Sequence, residues 1–308
     1  MFKRLIPHIF YGNVFYAFCT IALCLETNSL AGLPKNDPLF YVIVGTATLI
    51  FYTFVYYLTS RYINRELVAF DWKNRNVWYS YHRPLVKLVL TLAILVLAVA
   101  GGVYMLHHFH GLSRLQPEDY VTIAFFPLIS LAYSFEFPFF NHFHPLREAA
   151  VLKPFILGFA WAGFVTLYPF TALKWEGVDV SQATGIPVHW LFIQNFLFIS
   201  LLCILFDIKD IQYDRRKQLN TIAVRLGARN TIYWVVIPII ATNMLIKVFY
   251  FFHTTQFYTA LFVRGIPYLI LLLVSFEVRK EKSTLYYLAV IDGMMLLKGI
   301  TGIISTYL

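Results

Sequence analysis

Nine long apolar runs follow one another along this chain, each bounded by charged residues, proline or glycine, and they leave it few ways to fold. They cover residues 9–25, 39–58, 85–106, 121–135, 155–173, 189–206, 231–252, 259–276 and 284–308, the fourth being the shortest. A hydrocarbon core about 30 Å thick is crossed by roughly 20 residues of helix. Backbone in lipid must satisfy its own hydrogen bonds, which leaves helices as the spanning element for runs of this length. The expectation is therefore an all-α protein: a polytopic membrane helix bundle with nine transmembrane helices, forming a single domain over residues 1–308. At 59% hydrophobic and 13% charged residues, the chain does not fit a soluble globular class, and the lipid bilayer is its first partner.

A formal charge of +9 invites a nucleic-acid reading, but the basic residues flank apolar runs instead of forming one soluble patch, so no nucleic-acid partner is expected. Placing the N-terminus in the cytoplasm puts 19 of the 25 Lys and Arg in the cytoplasmic loops, against Lys35, Arg114, Lys174 and Arg264 outside and Lys247 and Lys298 within spans. That asymmetry predicts the N-terminus inside and the C-terminus outside, in what is expected to be a bacterial inner membrane. Lys3 and Arg4 before an apolar run imitate a signal peptide, but the many runs behind it favour an uncleaved first helix. Cys19, Cys24 and Cys203 all lie in apolar stretches and form no metal or disulfide pattern.

Acids are scarce, 16 in all, yet Asp207, Asp210 and Asp214 fall within eight residues at the expected cytoplasmic end of the sixth run. If the helix continues through them, the three carboxylates share a face about 60° wide. Like charges so grouped call for a cation. Mg²⁺ takes one or two carboxylates and completes its shell with water and phosphate oxygens, and the Lys and Arg that follow are suited to the same phosphates. The plain alternative is a solvated helix end with Asp–Arg pairs.

The stretch Asp207-Ile-Lys-Asp210-Ile-Gln-Tyr-Asp214-Arg215, followed by Thr221 and Val224-Arg225-Leu226-Gly227, resembles the second aspartate motif of the UbiA superfamily of intramembrane prenyltransferases, DxxDxxxDR, then Gly, then TLPVxxG. Gln218 stands where that motif has its Gly and Ala223 where it has Pro. The likeness extends to Tyr133-Ser134, to Lys153-Pro154 with Trp161, and to Arg83-Pro84. It implies Mg²⁺ on Asp207, Asp210 and Asp214, with Asp210 and Asp214 also catalytic. The substrates it implies are a prenyl diphosphate and a hydrophobic acceptor of the aromatic, quinone-precursor or porphyrin type. The family's first motif, NxxxDxxxD, has no counterpart after the second run, where Tyr56 to Glu66 carry no such acids and Glu66 and Asp71 are the nearest, and Tyr133 is followed four residues on by Phe137 in place of Lys. Guanidinium and ammonium groups can neutralise a diphosphate in place of a second Mg²⁺. Arg61, Arg65, Arg147, Lys153 and Arg215, with Tyr133, are therefore the substrate-binding candidates. A family member that has lost catalysis and binds a lipid diphosphate, or serves as an assembly partner, is the competing expectation. A secondary transporter is disfavoured because no broken helices pair in two related halves.

Several other residues could carry chemistry. His107, His108 and His110 group at one end of the third run and His142 and His144 near the fourth, but they lack the i, i+4 spacing of a helical zinc site, so interfacial polar roles are expected. Tyr133, Phe135, Phe137, Phe139 and Phe140 could line a prenyl tunnel. Lys247 and Lys298 lie near span ends, within reach of snorkelling. Asp292 is too deep for that, and fits either a helix-to-helix hydrogen bond or a polar contact in a substrate cavity.

Overall fold

The computed structural model describes residues 2–63, 74–134, 149–251, 257–278 and 282–308, and all regular structure among them is helical. A short α1 (Phe2–Tyr11) precedes α2 (Val14–Ala31). Between them Asn13 adopts φ 62, a left-handed conformation that Asn tolerates better than most residues, and the first span begins there instead of at residue 9. The break is anchored: Asn13 Nδ2 donates to Thr53 Oγ1 at 3.0 Å and to Tyr79 OH at 2.8 Å.

Helix α3 (Pro38–Thr59) opens on Pro38, with Asp37 as cap, and α4 (Arg75–Tyr81) is a short helix packed beside its end. Next come α5 (Arg83–His107), with Pro84 in its first turn, and α6 (Pro117–Ser134). Among the described residues eight helical stretches are long and apolar enough to cross a membrane. The fourth expected span, α6, is the exception: Glu118 and Asp119 occupy its first turn and Pro127 lies within it.

Helix α7 (Lys153–Ala162) continues through a π turn, Gly163–Leu167, into α8 (Tyr168–Glu176), and the two make one span. Helix α9 (Val188–Arg216) is followed by α10 (Ile222–Thr231), which passes through a second π turn into α11 (Ile237–Phe251). The chain ends with α12 (Phe257–Glu277), α13 (Thr284–Tyr286) and, after a third π turn, α14 (Gly293–Ile304).

Helix α9 is the axis of the bundle: 67% of its apolar window is buried, against 22% for α3 and for α5, whose outward Leu and Val side chains suit lipid contact. Phe198, Leu201, Leu202, Ile204 and Leu205 form its buried surface. In lipid, helices gain stability mainly from close packing, which small residues permit. Gly158 lets α7 meet α9 so closely that a Cβ there would lie 2.2 Å from Ser200 Oγ, and a Cβ at Gly299 of α14 would lie 2.9 Å from the α2 backbone at Ala22. Helix α9 therefore packs closely on α7, and α14 on α2.

Candidate functional site

Helix α9 remains helical through all three aspartates, as the spacing predicts, so Asp207 and Asp214 lie two turns apart on its inward face, 2% and 3% exposed. Asp210, between them, is partly exposed. At the first turn of α7, Lys153 is placed by Pro154 and donates from Nζ to Asp207 Oδ1 at 2.6 Å. Lys209 Nζ lies 3.5 Å from Asp210 Oδ1, near the rings of Phe206 and Tyr287. Three carboxylates thus meet two ammonium groups. The second oxygens of Asp207 and Asp214, both Oδ2, are buried without a hydrogen-bond partner among the described residues.

Orphaned buried carboxylate oxygens are costly, and their presence in pairs on one face fits a hard, oxygen-loving cation. Among the described residues no group of three or more His, Cys, Asp or Glu is drawn together tightly enough to form a complete metal site.

Beyond Asp214 the chain turns back. Gln218 takes φ 56, its N–H bonding to Arg215 O at 3.1 Å and the Leu219 N–H to Asp214 O at 2.9 Å. This pair of bonds is the Schellman motif, which usually places glycine at the left-handed position. Thr221 then caps α10 by accepting from Val224 N at 3.3 Å and, fully buried, adjoins Asp214. Gly227 has φ 75 and ψ 160, a bend that suits a glycine.

Around this helix end lies a group of aromatic side chains. Tyr16 of α2 stacks on Tyr52 of α3 at 4.8 Å, and Trp161 Nε1 of α7 donates to Tyr52 OH at 2.7 Å. Tyr133, at the end of α6, is within electrostatic range of Asp207, Tyr52 and Tyr56. Tyr16 OH also donates to Asp292 Oδ2 at 2.5 Å, so the buried Asp292 makes a helix-to-helix hydrogen bond on the same aromatic cluster.

Of the sequence candidates, Asp207, Asp210, Asp214, Lys153 and Tyr133 come together. Arg215 is exposed at the end of α9, and Arg61 is exposed with its guanidinium 5.1 Å from the Tyr57 ring. Arg65, Arg147, Glu66, Asp71, Phe135, Phe137, Phe139, Phe140, His142 and His144 lie outside the described residues.

The sequence passed over Arg75. Its guanidinium is buried, 3.7 Å from the Tyr56 ring centroid, bonded to Asn13 Oδ1 and to Tyr11 O, and it acts electrostatically on Asp292. In the sequence it is one of five basic residues between the second and third apolar runs, with nothing to set it apart. The i, i+4 pair Tyr52 and Tyr56 was the one available signal that α3 turns an aromatic face inward.

His108, from the histidine group, meets Asp37 Oδ2 at 3.1 Å and so joins α5 to the start of α3. Lys247 and Lys298 do not snorkel. Both are buried, Lys298 on Glu26 Oε2 at 2.6 Å and Lys247 on Gln194 Oε1 at 2.9 Å, because each meets a polar partner on a neighbouring helix before it reaches the bundle's end.

The helical bundle has the UbiA fold. Three solved structures align along nearly the whole chain. The apo structure of a UbiA homologue from Aeropyrum pernix K1 is 13% identical with a TM-score of 0.56, covering 95% of this chain and 96% of that one. A UbiA homologue from Archaeoglobus fulgidus bound to GPP and Mg²⁺ is 13% identical with a TM-score of 0.57, covering 98% and 100%. A UbiA homologue from Archaeoglobus fulgidus bound to DMAPP and Mg²⁺ is 12% identical with a TM-score of 0.51, covering 96% and 98%. No protein-family model and no curated protein matches the sequence.

Proposed function

We propose that this chain is a UbiA-type prenyltransferase, transferring an isoprenoid chain from a prenyl diphosphate to a hydrophobic acceptor such as an aromatic quinone precursor or a porphyrin-type ring. The observation that carries the reading is the pair of buried oxygens on Asp207 and Asp214, unpartnered among the described residues and held on one face of α9 beside an aromatic cluster. The two Archaeoglobus fulgidus structures, with GPP or DMAPP and Mg²⁺ on the same fold, support it.

In this reading Asp207, Asp210 and Asp214 hold Mg²⁺, which supplies positive charge to the departing diphosphate when bound. Lys153 pairs with the buried Asp207 carboxylate and offers a second positive group at the same place. The C–O bond of the prenyl diphosphate breaks with its electron pair leaving on the diphosphate, and a nucleophilic carbon of the acceptor takes the prenyl carbon and then loses a proton. Tyr16, Tyr52, Tyr56 and Tyr133 exclude water and present ring faces that favour an allylic cation. The charge asymmetry of the loops supports placing the aspartate end of α9 in the cytoplasm, with the N-terminus inside and the C-terminus outside a bacterial inner membrane.

A second reading is a member that binds a lipid diphosphate without transferring it. It is favoured by the end of α3, where residues 56–63 carry no acid to hold a second cation. One experiment separates the two. Purified protein should be stabilised against heat by GPP or DMAPP only with Mg²⁺, and Asp210→Asn and Asp214→Asn should each abolish that effect while remaining folded. Product formed with an acceptor of the proposed classes establishes the transferase; binding with no product assigns the second reading. Stabilisation unchanged in both variants would return the aspartates to a solvated helix end.

A further inference from the structure

At the opposite end of the bundle from the aspartates, side chains from α2, α9, α11, α12 and α14 enclose a small cavity lined by Glu26, Gln194, Lys247, Arg264, Lys298 and Tyr268, among others. Each of these six side chains is less than a tenth exposed. None takes part in the proposed chemistry at Asp207. Among the described residues, three basic side chains face one carboxylate there.

Lys298 accounts for that carboxylate, donating to Glu26 Oε2 at 2.6 Å and to Asn195 Oδ1 at 2.7 Å. Lys247 has only neutral acceptors, Gln194 Oε1 at 2.9 Å and Tyr268 OH at 3.3 Å, and its Nζ stands 4.5 Å from the Tyr268 ring centroid. Tyr268 OH is turned to donate to Asn243 Oδ1 at 3.3 Å, so toward Lys247 it accepts, and the ring face also suits a cation. Among the described residues no carboxylate lies within ion-pair distance of Lys247. Arg264 bonds Ser305 Oγ at 2.5 Å through Nε and presents its positive charge to the same cavity.

The remaining wall settles the chemistry of what belongs there. Gln194 spends its oxygen on Lys247, and its Nε2 is buried with no hydrogen-bond partner among the described residues. An orphan N–H donor beside an ammonium and a guanidinium is a site for an acceptor carrying negative charge. Leaving such a charge uncompensated inside a membrane protein is costly even after relaxation. Water would satisfy the donor but leave the charge. The cavity is small, which suits a compact monatomic anion better than phosphate, sulfate or an organic carboxylate.

We infer that this cavity is a binding site for one halide-sized monovalent anion, with chloride as the natural occupant, held by Lys247, Arg264 and Gln194 Nε2. The anion offsets charge where α9, α11 and α12 meet, and so fastens them to one another. The site is independent of the prenyl-transfer reading.

Thermal unfolding of the detergent-solubilised protein tests it, in sodium chloride or bromide against sodium gluconate at equal ionic strength, gluconate being too large to enter. Chloride and bromide should raise the midpoint saturably, by about 3 °C or more when the site is filled. Gln194→Glu places a carboxylate beside Lys247 and supplies the missing charge from the protein itself. That variant should lose the halide dependence and, in gluconate, unfold no lower than the wild type does in chloride. Bromide-soaked crystals should give an anomalous peak between Lys247 Nζ and Gln194 Nε2. Equal midpoints in chloride and gluconate, a halide effect that persists in Gln194→Glu, or no bromide peak would each overturn the proposal. Equal midpoints that rise with pH would instead identify Lys247 as a neutral amine.

Discussion

Lys153 Nζ lies 2.6 Å from Asp207 Oδ1, joining the start of α7 to the acid-bearing end of α9. The carboxylate is 2% exposed and the lysine 26%, so the two partners do not carry equal costs. Removing one member of a fully buried pair costs about 3–5 kcal/mol, and the part-exposed lysine places this pair toward or below the lower end. Lys153→Met should therefore destabilise the protein by about 2–3 kcal/mol, since Asp207 keeps a buried charge. The double variant Lys153→Met with Asp207→Asn should recover most of that loss in a denaturation midpoint. Mg²⁺ should also partly rescue Lys153→Met, because a cation at the aspartates replaces the lost charge. A double variant no more stable than the single one would show that the pair is incidental.

Arg75 depends on shape as well as charge. Its planar guanidinium lies 3.7 Å from the Tyr56 ring centroid while also reaching Asn13 Oδ1 and Tyr11 O. Lysine keeps the charge but neither stacks flat nor offers a fork of donors. Arg75→Lys is expected to lower stability by about 1–2 kcal/mol through the lost charge-assisted bonds. It should also weaken Mg²⁺-dependent binding of GPP, because Arg75 orders the Tyr56 side of the aromatic cluster. Calorimetric unfolding and ligand titration read the two effects separately, and a variant with both unchanged would remove Arg75 from the site.

Asp37 gives a pH dependence. Burial pushes its pKa up, but the Leu39 N–H and the neighbouring His108 outweigh burial and leave it below the ordinary carboxylate value. A carboxyl whose folded pKa is the lower one stabilises the fold at pH values above its unfolded pKa, and loses that contribution as pH falls through the folded one. Asn also caps helices well, so Asp37→Asn isolates the charge. The wild type should unfold at a higher temperature than Asp37→Asn at neutral pH, with the gap closing below about pH 4. A gap that is constant with pH would mean that the charge contributes nothing.

The spans and the acidic face of α9 were legible because both follow from period and composition: an apolar run of given length crosses a bilayer, and residues spaced by three and four share a face. Where local conformation or long-range pairing decided the outcome, the sequence said less. The start of α2 turned on Asn13 entering the left-handed region, held there by Thr53 and Tyr79 some 40 and 66 residues away. Lys153 could be placed on the same side as the aspartates by charge counting, but its choice of Asp207 over Asp210 or Asp214 is tertiary. Arg75 was hidden among loop cations because its burial depends on α4 folding onto α3. Lys247 and Lys298 read as candidates for snorkelling because a span shows its own ends and not the Gln194 or Glu26 waiting on the next helix.

The turn after α9 offers the most direct check on how the motif is built. Gln218 occupies the left-handed position of a Schellman motif at φ 56, with its N–H and that of Leu219 closing onto Arg215 and Asp214 carbonyls. A residue with a Cβ pays roughly 1–2 kcal/mol for that conformation, and glycine avoids this while giving back about 0.4–1 kcal/mol through its freer unfolded chain. Gln218 is exposed, so little contact is lost with its side chain. Gln218→Gly should then stabilise by about 0.5–1 kcal/mol, a rise in unfolding midpoint of about 1–4 °C. Gln218→Val, whose branched Cβ fits the left-handed region worst, should move the midpoint the other way. Because the Asp214 carbonyl accepts one of the two closing bonds, a firmer turn should hold Asp214 at least as well, and Mg²⁺-dependent diphosphate binding in Gln218→Gly should not weaken. A midpoint lowered by glycine would mean that the glutamine side chain itself fastens the turn.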